Sequence, residues 1–178
     1  MFKKVTSLLF AISLTLNLNA SDKKVGDFAN QCSALFLIMT MLPDDEQWKP
    51  FVDNMSNLSE TMGLLSATIY DENNISLTQG KLIDLRNIEA DKFINMYKVN
   101  KTNVTKFYAR CDKFREDFAY QAMLSPDDDT KIINALKIPT SIDMPQQKTA
   151  LIEMVLEMSF NMLSDAGIES IVEFYEEI

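Results

Sequence analysis

The stretch 28–42 reads Phe-Ala-Asn-Gln-Cys-Ser-Ala-Leu-Phe-Leu-Ile-Met-Thr-Met-Leu, and after Gln31 it holds no charge and nothing more polar than serine or threonine. A helix that is apolar nearly all round has to be surrounded by protein. The rest of the chain must therefore supply enough partners to enclose it.

Those partners are visible as helical spacing. Val25, Phe28, Cys32, Leu35, Met39 and Leu42 step by three and four, in a helix expected from Asp27 until Pro43 stops it. Pro50 suits the first turn of a second helix, whose Phe51, Met55, Leu58, Met62, Leu65 and Ile69 repeat the same steps. Gly63 interrupts it at a cost of about 1 kcal/mol relative to alanine. After the polar turn 71–74, Ser76 or Thr78 caps a third helix reaching about Asn100, with Lys81, Arg86, Glu89, Asp91 and Lys92 covering its outside. Thr102 or Asn103 caps a fourth, running to about Leu124, in which Val104, Phe107, Cys111, Phe114 and Phe118 face inward.

Ser125 and Pro126 open a short helix through Ile132, Ile133 and Leu136 that ends before Pro139. A long helix then occupies 146–165 and is apolar on two sides: Leu151, Met154, Met158 and Met162 on one, Ile152, Leu156, Phe160 and Leu163 on the other. Gly167 terminates it, and Ile168, Ile171, Tyr175 and Ile178 form a closing amphipathic turn. Almost nothing reads with period two. Short polar turns between long helices predict an all-α fold, an antiparallel bundle of five to six helices.

The first twenty residues have a different character. Lys3 and Lys4 precede a short apolar run that ends at Asn19, Ala20 and Ser21, the pattern of a signal peptide cleaved after Ala20. The expectation is a leader over 1–20, a single helical domain over 21–178, and a periplasmic or secreted location with no membrane insertion once the leader is gone. An exported chain with two cysteines and none left over predicts a disulfide between Cys32 and Cys111, each on the inward stripe of its helix. Two buried thiols are the bland alternative.

Loss of Lys3 and Lys4 takes the formal charge from −9 to −11. Such a surface repels nucleic acid and points to another protein, of cationic character, as partner.

Histidine is absent and glycine numbers four, which removes the usual triads, most transition-metal sites and the phosphate-cradling loops. The acids at 127–129 follow a capping pattern rather than that of a calcium loop, which needs alternating ligands and a distal glutamate. Thioethers at Met154, Met158 and Met162 share one helical face, as soft Cu(I) ligands would, but core packing or contact with a partner demands the same spacing. The N-x-[ST] triplets at Asn57, Asn74 and Asn103 read as chance.

No enzyme activity and no cofactor are expected. The function predicted by elimination is an exported acidic helical interaction protein: an inhibitor, immunity or chaperone-like module. Its partner surface would comprise Met154, Met158, Met162, Ile168, Ile171 and Tyr175. The alternative is a carrier of a small apolar ligand in the bundle interior.

Overall fold

A computed structural model describes residues 21–124 and 128–166. The leader at 1–20, the cap expected at Ser125 and Pro126, and the surface residues Ile168, Ile171 and Tyr175 lie outside the described residues. Within them the chain is all-helical, without strands: α1 Ser21–Ile38, α2 Lys49–Glu72, α3 Gln79–Val99, α4 Lys101–Leu124, α5 Asp129–Ala135 and α6 Gln146–Ala166.

Enclosure of α1 is complete over its second half. Every residue from Cys32 to Met39 is buried, and α2, α3, α4 and α6 all pack against it. Its boundaries differ from those expected. It extends back to Ser21 and stops at Ile38, short of Leu42. The cause is local: Thr40 and Met41 donate backbone bonds to Leu37 and Ile38 at 3.0 Å, and the Thr40 hydroxyl takes the Leu37 carbonyl at 2.7 Å. A tightened last turn plus a side-chain competitor ends the α-ladder before Pro43 is reached.

The other termini follow side-chain oxygens. Thr78 caps α3, its hydroxyl accepting from the Lys81 N–H. At α4 the capping residue is Asn100 rather than Thr102 or Asn103: its side-chain oxygen accepts from the Thr102 N–H at 3.1 Å, so the helix starts earlier. Asp128 caps α5 through the Lys131 N–H.

Two seams hold α1. Against α2 the seam is made of small residues, an arrangement the apolar spacing did not reveal. The Ser33 hydroxyl donates to the Ser59 carbonyl at 2.7 Å, while the Ser59 hydroxyl donates to the Ser33 carbonyl at 2.9 Å. Further along, the Ser66 hydroxyl donates to the Gly26 carbonyl at 2.8 Å. Residue numbers fall along α2 as they rise along α1, so the two helices run in opposite directions. Gly26 allows this close approach: a Cβ there would sit a tight 3.2 Å from Ile69 Cγ2, so Ile69 would have to give way by a few tenths of an ångström.

Against α4 the seam is covalent and aromatic. Cys32 and Cys111 form a disulfide with Cα atoms 5.4 Å apart, and both are fully buried. Phe28 packs on Phe107 and Phe114 at ring-centroid distances of 5.4 and 5.3 Å, and Phe36 packs on Tyr108 at 6.1 Å. Tyr120, on the same helix, is 60% exposed.

The cross-link spans 79 positions and in the chain-entropy account contributes about 4 kcal/mol. Replacing both cysteines by alanine is expected to lower unfolding free energy by at least about 2 kcal/mol in urea titrations. Because both sulfurs are buried, reductant alone should leave the native protein oxidised until denaturant is added. Thiol counting by mass spectrometry checks this, and rapid reduction without denaturant would contradict the enclosure.

Candidate binding surfaces

Helix α6 is anchored at both ends of its buried face. Near its start, Lys148 forms an ion pair with the buried Asp112 carboxylate of α4, which also receives Arg115 at 2.9 Å. Three charges meeting at one partly covered point are worth more for register than for net stability. Nearer its end, Phe160 stacks on Tyr97 of α3, with centroids 4.2 Å apart and planes 12° off parallel. Between them Ile152, Val155 and Leu156 enter the core, and Leu163 does so beyond Phe160.

The two apolar sides read from the sequence thus have different fates. The side with Ile152, Leu156, Phe160 and Leu163 is covered. On the other, Leu151, Met154 and Met162 are 45%, 45% and 44% exposed, while Met158 packs partly against the core. Glu153 and Glu157 stand exposed beside this stripe, and Glu157 faces Lys101 at 3.4 Å.

A second feature lies where α1, α2 and α3 meet. Asn30, Ser33, Glu60, Gly63, Leu64, Ala67, Gln79, Leu82, Ile83 and Arg86 line a half-open groove of about 380 Å³. Arg86 was expected on the outside of α3 but is only 9% exposed. The α3 helix is rotated so that Ala90, Phe93 and Tyr97 fill the core, which turns Arg86 inward and leaves Ile88 half exposed. Asn30 is 5% exposed, and among the described residues its carboxamide has no hydrogen-bond partner. Neither residue announced itself in the sequence, since a lone arginine or asparagine on an amphipathic helix has no distinguishing spacing.

Among the described residues no three His, Cys, Asp or Glu side chains are grouped to hold a metal ion, and no helix is long and apolar enough to cross a membrane. The largest pKa shifts fall on two tyrosines. Burial raises the pKa of the Tyr108 phenol, with the Asp112 carboxylate adding to it. Burial also raises that of Tyr70, whose hydroxyl donates to Asp27 at 2.5 Å.

Both tyrosines keep their protons in the folded state above the ordinary value of 10.0, where unfolded tyrosines lose theirs. The folded state then binds more protons than the unfolded one, so stability present below about pH 10 is lost as pH rises beyond it. Urea midpoints measured between about pH 9 and 11 should fall, and the Tyr70→Phe, Tyr108→Phe double variant should flatten the decline. An equal slope in that variant would place the alkaline transition elsewhere. Compared with known proteins, the chain matches no family model, no curated protein and no solved structure.

Proposed function

We propose that this chain is an exported, non-catalytic acidic binding protein, an inhibitor, immunity or chaperone-like module, that engages another protein through the outward face of α6. The observation that carries the reading is the exposure of Leu151, Met154 and Met162 along one side of a helix whose opposite side is covered. Methionine side chains adapt to varied apolar partners, and an amphipathic partner helix reads such a stripe through its own anchors at three- and four-residue spacing.

Glu153 and Glu157 at its edge, and a formal charge of −9 overall, favour a partner with a basic rim. The buried disulfide accords with export to an oxidising compartment. A second reading, a carrier of a small apolar ligand, is favoured by the groove between α1, α2 and α3.

A photo-crosslinker placed at Met154 should trap a partner from the exported fraction at low salt, while one at the exposed Asp53 of α2 should not. Met154→Glu with Met162→Glu should weaken capture at least tenfold, by roughly 1.4 kcal/mol, and shift stability by no more than about 0.5 kcal/mol. Failure to trap any protein, or capture undiminished by the two glutamates, would remove the proposal.

A further inference from the structure

The groove at the α1–α2–α3 junction differs from the α6 surface in having a polar floor beneath an apolar wall. Leu64, Ala67, Leu82 and Ile83 supply the wall; Asn30, Ser33 and Arg86 supply the floor. Ser33 is already committed to Ser59. Asn30 is not: the residue is 95% buried, and among the described residues its carboxamide has no hydrogen-bond partner, which leaves a donor and an acceptor for something that enters the groove. Among the described lining residues Arg86 is the one cation; it already makes an interaction within the protein, and its planar fork of five N–H donors has further ones that match a carboxylate.

The size lies at the small end of ligand sites, which run to roughly 300–1,000 Å³. Glu60 stands exposed among the lining residues, so a second negative charge on the ligand would meet repulsion.

We propose that this groove binds a small amphipathic monocarboxylate, its hydrocarbon portion against Leu64, Ala67, Leu82 and Ile83 and its carboxylate on Asn30 and Arg86. This rests on the carrier reading and is independent of the α6 surface. It differs from a bundle-interior cavity in two respects: the site opens to solvent at a helix junction, and its specificity comes from the charged head. The wall of α2 is left open by Gly63, where an added Cβ would meet only the Ser33 hydroxyl at an ordinary 3.4 Å. A leucine there grows into the groove, and since glycine is the poorer helix former by about 1 kcal/mol, it should not weaken the fold.

Calorimetric titration of the disulfide-bonded chain with octanoate, 1-octanol and the dicarboxylate suberate tests the assignment. Octanoate is expected to bind saturably with a Kd under about 1 mM, and both other probes at least tenfold more weakly. Asn30→Leu should weaken octanoate about tenfold, and Gly63→Leu should abolish its binding with an unchanged melting temperature. Octanol binding as tightly as octanoate would overturn the carboxylate assignment while leaving the carrier reading standing. No saturable binding of either would overturn both. Octanoate binding undiminished in Gly63→Leu would place the ligand elsewhere and also overturn the proposal.

Discussion

A helix without an outside is the constraint on which the rest of this fold depends. From Cys32 to Ile38 every residue of α1 is buried, so each side of that segment needs a neighbour, and α2, α3, α4 and α6 supply them. The apolar surface removed from water there is the main driving force for assembly. It is non-directional, however, and by itself would accept several arrangements of the surrounding helices.

Direction comes from the two seams on either side of α1. Reciprocal serine bonds and the close approach at Gly26 set the depth and register of α2, because each hydroxyl has one carbonyl within reach. The disulfide sets the register of α4, and Phe28 and Phe36 pack about one turn to either side of it. These are different solutions to one problem. The α2 seam gains closeness from small residues, whereas the α4 seam fills a wider gap with rings and ties it covalently. Between α3 and the α1–α2 pair neither device operates among the described residues, and there lies the groove floored by Asn30 and Arg86.

Helix α6 shows how a single element divides its roles. Its inner side is fastened by the Tyr97–Phe160 stack and the Lys148–Asp112–Arg115 cluster, leaving a row of thioethers and Leu151 outward. Holding one face rigidly lowers the entropic cost of presenting the other to a partner. The acidic flank beside it adds selectivity through charge rather than affinity through area.

The helical class, the number of long elements, the inward stripes of α2 and α4, and the pairing of Cys32 with Cys111 were all legible in the linear order of residues. Periodicity near 3.6 is a local property, and a helix reports which of its sides is apolar without reference to any neighbour. Several features were settled only in the folded structure, some by local hydrogen bonds and some by neighbouring helices. These are the end of α1 at Ile38, the cap at Asn100, the serine seam, the inward turn of Arg86, and the exposed side of α6. Each depends on which neighbour lies opposite, or on competition between side chain and backbone for a single hydrogen bond. An apolar side not yet covered reads the same in sequence as one that will be buried, and only the packed structure distinguishes the two.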